Sequence, residues 1–183
     1  MQTQEITYFT SPGKQNTDET LRLAIEAARE GEMDTMVVAS TTGDTAQKAA
    51  QMVADEDITL VIIPHQYGWA EEPEFDLDLI PELEEQGHIV HFATMLFHTY
   101  EFYGTEAPTA LANILRTFGQ GTKVCVEILL MAADAGLVTP DEQVVAVAGT
   151  GRGADTAVTA TASPSIKIKQ MKIHRILCKP SLE

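Results

Sequence analysis

Two short stretches bring together residue types that can hold an anion. The first, "STTGDT" from Ser40 to Thr45, leaves the apolar run Val37 to Ala39 and enters residues with helical spacing. The hydroxyls of Ser40, Thr41, Thr42 and Thr45 and the local backbone N–H groups therefore gather at a helix start. Unsatisfied donors and the positive end of the helix favour a phosphate there. The second, "GTGRGADT" from Gly149 to Thr156, leaves the apolar run Val144 to Ala148. Gly43, Gly149, Gly151 and Gly153 permit close backbone approach to a ligand. Thr150, Asp155 and Thr156 supply polar atoms, and Arg152 supplies a planar fork of donors matched to phosphate or carboxylate. Ordinary turns whose Thr and Asp residues cap helices explain either loop alone. Two such loops with an arginine bring a phosphate cradle level with that alternative. Neither loop fits the Walker A pattern, and "GTGRGA" meets G-x-G-x-x-G only if Ala154 replaces the last glycine.

Weaker candidates flank these loops. Lys14 and Asn16 follow a β-like N-terminal stretch and are placed to reach the same crevice, although a helix N-cap at Asn16 or Thr17 needs no ligand. His65 and Gln66 lie in "PHQYGW", just past a strand-like run. Aromatic residues cluster from Tyr67 to Tyr103, with Phe97, Tyr100, Phe102 and Tyr103 close together, which suits a flat ring, a subunit interface or a core. His88 and His91 have a loose metal-like spacing without a third ligand, so no metal is expected. Glu127 and Asp134 read as the solvated stripe of an apolar helix. No residue is assigned a catalytic role.

The chain has 183 residues, 27 acidic against 12 basic, and a formal charge of −15. Such a balance argues against binding a nucleic-acid backbone or an anionic membrane, since both need a basic face. A high-salt cytoplasm is one setting that selects it. The polar N-terminus lacks a signal-peptide pattern, and the apolar run Val124 to Val138 is too short to span a bilayer, so a cytoplasmic protein is expected. Cys125 and Cys178 read as small core residues.

The elements that must position the loops alternate. Apolar runs at 35–39, 59–63, 89–93, 144–148 and 158–163 read as strands. Helical spacing marks 17–30, a small-residue face through Ala46, Ala49, Ala50 and Val53, a short acidic helix in 77–86, and helices at 111–118 and 124–135. This alternation implies a single α/β domain over 1–183, a three-layer α/β/α sandwich with a mostly parallel sheet, preceded by an N-terminal strand and followed by a basic β tail.

The stretches "VVASTTGDTA", "KVCVEILLMAADAGLVTPDEQVVAVAG" and "TGRGADTAVTATAS" resemble the C-terminal α/β domain of pyruvate kinases, and the whole chain is similar to a group of stand-alone proteins of that class, some associated with flavin mononucleotide (FMN). The resemblance implies a sheet of order 3-2-1-4-5 with the fifth strand antiparallel, which puts both loops on one crevice. It further implies a phosphorylated ligand there, FMN foremost, with a sugar-phosphate sensor as an alternative; the residues alone also allow an oligomeric scaffold whose aromatic cluster is an interface and whose loops are turns. Asp44 departs from the kinase pattern, which has a hydroxyl at that position. Because the resemblance assigns kinase chemistry to a separate barrel domain, the 183 residues are expected to lack pyruvate kinase activity. A homo-oligomer is expected from the aromatic cluster and the helix 124–135.

Overall fold

Apolar strands alternating with amphipathic helices bury themselves most simply as a sheet covered on both faces. The computed structural model, which describes residues 3–181, has that form. In chain order the elements are β1 (Thr7–Phe9), α1 (Thr17–Glu30), β2 (Thr35–Ala39), α2 (Asp44–Met52), β3 (Thr59–Ile63), α3 (Leu79–Glu85), β4 (Ile89–Val90), α4 (Tyr100–Tyr103), α5 (Ala107–Arg116), α6 (Gln120–Asp134), β5 (Gln143–Ala148), β6 (Thr156–Thr161) and β7 (Lys172–Pro180). Short 3-10 turns lie at Lys14–Asn16, Leu96–His98 and Ser165–Gln170.

The sheet order is β1-β7-β6-β5-β2-β3-β4. Its β4-β3-β2-β5-β6 portion reproduces the expected 3-2-1-4-5 arrangement, with β6 antiparallel to β5. The C-terminal tail adds β7 antiparallel to β6, and the N-terminal β1 pairs parallel to β7 at the edge. The third expected strand, 89–93, shortens to Ile89–Val90. Only the N–H of His91 still reaches the Ile62 carbonyl before the chain leaves this edge.

Strand periodicity sends alternate residues to opposite faces. Met36 and Val38 join the core under α1, α2 and α3, whereas Val37 joins the core under α6. A smaller cluster of Phe97, Ala112, Val126 and Leu130 packs α5 and the 96–98 turn onto the outer side of α6. That outer cover corrects the reading of Glu127 as solvated. Asp134 is exposed at the helix end, but Glu127 is buried beneath the covering turn. Cys125 and Cys178 are free and buried, and burial pushes the Cys178 thiol up to about 11. Among the described residues no helix is long and apolar enough to cross a membrane.

His88 has a structural task. Its buried ring accepts the Leu60 N–H at Nδ1 (3.3 Å), and desolvation holds its pKa below the usual imidazole value. The unfolded chain then binds a proton more readily than the folded one, so stability is lost as pH falls from about 6.5 through the lowered value. The expected result is a melting temperature that drops between pH 7 and pH 5, with a shallower drop in His88→Gln.

Candidate functional site

The connection order reverses at β2, with β3 on one side and β5 on the other, and in open α/β sheets a ligand crevice forms outside the carboxyl ends of strands at such a point. Ser40 follows β2 and Gly149 follows β5, so the two candidate loops meet at this edge. Between them lies a cavity of about 480 Å³ that reaches from α2 on one face of the sheet to α6 on the other.

Three helices begin at the cavity. Thr17 opens α1, Asp44 and Thr45 open α2, and Gln120 and Lys123 lie in the first turn of α6; all five line the wall. Each helix start carries unsatisfied N–H groups and about half a positive charge. At α2 the buried Ser40 hydroxyl accepts the Ala46 N–H (3.2 Å) and fastens the turn. Gly43 holds a φ of +103°, and a Cβ there would come within 2.5 Å of Leu79 Cδ1. Substituting Gly43 would therefore strain the fold rather than crowd a ligand.

Of the residues singled out in the sequence, the cavity wall contains Lys14, Ser40, Thr41, Thr42, Asp44, Thr45, His65, Gly149, Gly151, Arg152 and Gly153. The others have different tasks. Fully buried Asp155 accepts N–H groups of Gly13 (2.9 Å) and Thr150 (3.1 Å) and the Thr156 hydroxyl (2.9 Å), which ties the loop to the N-terminal segment. Asn16 donates its amide to the Ser11 carbonyl (2.8 Å) and makes no side-chain cap, and Gln66 accepts the Met95 N–H (2.8 Å). Asn16, Gln66, Thr150, Asp155 and Thr156, expected at the crevice, are thus absent from the cavity wall. A loop must satisfy its own buried polar groups first.

Arg152 is half-exposed and donates to Glu74 Oε1 (2.9 Å), while His65 Nδ1 lies 3.1 Å from Glu74 Oε2. Hydrogen bonds from His65 and Arg152 hold the Glu74 carboxyl below its usual range. Trp69 sits with its ring centroid 5.4 Å from His65 and 4.9 Å from His98, the latter edge-on. Apolar wall is supplied by Met95, Val124, Ile128 and Met131.

The α6 wall also holds a buried polar cluster. Lys123 and Glu127, 1% and 2% exposed, form an ion pair one helical turn apart. Glu127 also accepts the Phe97 N–H (2.9 Å), and His98 Nδ1 lies 3.3 Å from it. Burial raises the Glu127 pKa, but His98, Lys123 and the Phe97 N–H together outweigh it and hold the carboxyl below its usual range. Desolvation lowers the Lys123 pKa against the pull of Glu127. Among the described residues no group of three or more His, Cys, Asp or Glu side chains is arranged to hold a metal ion.

Residues 18–160 match the family described as pyruvate kinase, alpha/beta domain. The chain belongs to that family. Among solved structures it is similar to a pyruvate kinase from Cryptosporidium parvum, with 14% identity, 80% of this chain and 23% of that chain covered, and a TM-score of 0.46. It is also similar to the pyruvate kinase of the same organism in complex with ADP, with 15% identity, 87% and 23% coverage, and a TM-score of 0.42. The chain thus spans about a quarter of the length of these enzymes.

Within this pyruvate kinase alpha/beta domain, the sequence reading missed Lys48, Trp69, His98, Gln120, Lys123 and Glu127 on the cavity wall. One signal was present for the pair: lysine and glutamate at i and i+4 inside a largely apolar helix, "KVCVE", a spacing at which opposite charges meet.

Proposed function

We propose that the cavity binds a phosphorylated small molecule with a flat apolar body, and that FMN is the ligand of this class. One observation carries the reading: three basic residues outside the Lys123–Glu127 pair, Lys14, Lys48 and Arg152, line this one cavity together with three helix N-termini, in a chain of net charge −15. Among the described residues two carboxylates, Asp44 and Glu127, share the wall, and Asp18 and Glu74 beyond it pair with Lys48 and Arg152. Charges and N–H dipoles at contact distance act fully on a bound phosphate, while distant acidic residues are screened beyond about 8 Å.

Phosphate belongs at the α2 start, where Thr41, Thr42 and Thr45 add hydroxyls and Arg152 is near. Trp69, Met95, Val124, Ile128 and Met131 would then face the rest of the ligand. A flat ring system covers that apolar surface, whereas a sugar phosphate leaves it wet. This favours FMN over the sugar-phosphate sensor. Bound flavin would supply electron-transfer chemistry, and the chain would bind, orient and shield it. Turnover of phosphoenolpyruvate and ADP is not part of this reading.

Freshly purified protein is expected to be yellow, with flavin absorption bands, or to acquire them on titration with FMN, and to bind FMN much more tightly than riboflavin. Tighter binding of a hexose bisphosphate than of FMN would replace the flavin reading with the sensor. Equal affinity for FMN and riboflavin would remove the phosphate cradle.

We further propose that the protein is a homo-oligomer. Support comes from the apolar surface of Phe102 (84% exposed), Tyr103, Leu111, Ile114 and Phe118; α6, covered by α5, is not part of it. Light scattering at micromolar concentration should give a multiple of the 19.9 kDa chain mass, and a monomeric mass overturns the proposal.

A further inference from the structure

The reading of a phosphate at the α2 start leaves the opposite, α6 wall without a task, although that wall holds the most heavily buried charges of the cavity. Lys123 borders the cavity with 1% of its surface exposed. Its ammonium has three N–H donors, and among the described residues one acceptor, Glu127 Oε2, meets them. The Phe97 ring beneath it, 5.4 Å from Nζ, offers only its π face. Both oxygens of Glu127 are engaged, by Lys123 on one side and by Phe97 N–H and His98 on the other, so the carboxylate holds the ammonium in place. Helix packing alone does not call for this arrangement, because an apolar pair of similar volume is commonly as stable as a buried ion pair.

We infer that Lys123, held by a Glu127 that His98 and the Phe97 N–H hold in turn, is a second recognition point that donates to a neutral carbonyl oxygen at the end of the ligand remote from its phosphate. The inference deepens the proposed function and rests on it. Charge decides the ligand group. Glu127 already neutralises Lys123, so a second anion would meet a station of no net positive charge and would lie beside a carboxylate. A carbonyl oxygen meets no such repulsion and uses the spare donors. The geometry therefore selects a phosphorylated ring compound bearing carbonyl groups and disfavours bisphosphates. A ligand that filled the apolar wall without an acceptor would strip water from the ammonium and leave its N–H groups unmet, which is the costly case for a buried donor.

The experiment titrates FMN and riboflavin into wild type and into Lys123→Met/Glu127→Leu, which removes both charges together and so leaves no buried ion alone. Flavin fluorescence reads affinity, infrared difference spectra read the flavin carbonyl stretch, and thermal melting confirms the fold. The double substitution should weaken FMN and riboflavin by the same factor, about 10- to 100-fold, because the phosphate station is untouched. The carbonyl band, lowered in wild type by the charged donor, should return towards its value in free flavin. Lys123→Arg, which keeps a charged donor, should retain a lowered band and serves if the double variant does not fold. Unchanged affinity with an unchanged carbonyl band overturns the inference. Equal wild-type affinity for FMN and riboflavin overturns the phosphate reading, while the Lys123 comparison still decides the second station. Failure of wild type to bind either flavin overturns both.

Discussion

Lys123→Met is expected to lower the melting temperature by roughly 6–20 °C, corresponding to about 3–5 kcal/mol for breaking a buried pair by removing one partner. The loss comes from Glu127, which is 2% exposed and would keep its charge with only the Phe97 N–H and His98 against it. Lys123→Met/Glu127→Leu should recover most of the loss, since no buried charge remains. A single variant that melts within a degree or two of wild type would show that the pair carries no such energy. The same geometry sets an acid limit. The Glu127 carboxyl is held below its usual range, so its contribution to stability is present above the ordinary carboxylate pKa and is lost as pH falls through the lowered value. Melting curves taken down through pH 4 should therefore fall more steeply in wild type than in the double variant.

Arg152→Ala is expected to narrow the ratio of FMN to riboflavin affinity by about 10-fold, the lower end for a charge-assisted hydrogen bond. The lower end applies because Arg152 is half-exposed and must leave Glu74 to meet a phosphate. Glu74→Gln should widen the ratio, because it releases Arg152 from its bond to a carboxylate. Opposite signs for these two substitutions are the signature of competition between Glu74 and a ligand phosphate for one guanidinium. If both lower the ratio, or neither moves it, Arg152 is a loop fastener. Asp44, exposed in the first turn of α2, gives the control: Asp44→Ser removes a carboxylate from the wall and should strengthen FMN without affecting riboflavin.

Thr35–Ala39 and Gln143–Ala148 were legible as strands, and Ser40–Thr45 and Gly149–Thr156 as the loops beyond them, because continuous apolar runs followed by Gly, Ser and Thr are local signals. Their order along the chain, read with the family resemblance, was enough for the strand arrangement 3-2-1-4-5 and hence for the meeting of both loops at one edge. Glycine positions and the small-residue face of α2 were equally local.

Only the tertiary structure decided which polar atoms face the cavity. Asp155 and Arg152 are three residues apart on one loop, yet Asp155 turns inward to three donors while Arg152 reaches outward to Glu74. A hydrogen bond between distant segments, here from the Gly13 N–H to the Asp155 carboxylate, fixes that choice, and no local pattern encodes it. The α6 wall is the clearer case. Residue spacing placed Glu127 on a polar stripe, but α5 and the 96–98 turn cover that stripe and convert a solvated pair into a buried one. The sequence determined that Lys123 and Glu127 lie one turn apart; what covers them, and so whether water screens their charges, depends on packing between segments some thirty residues apart, such as Phe97 on Glu127.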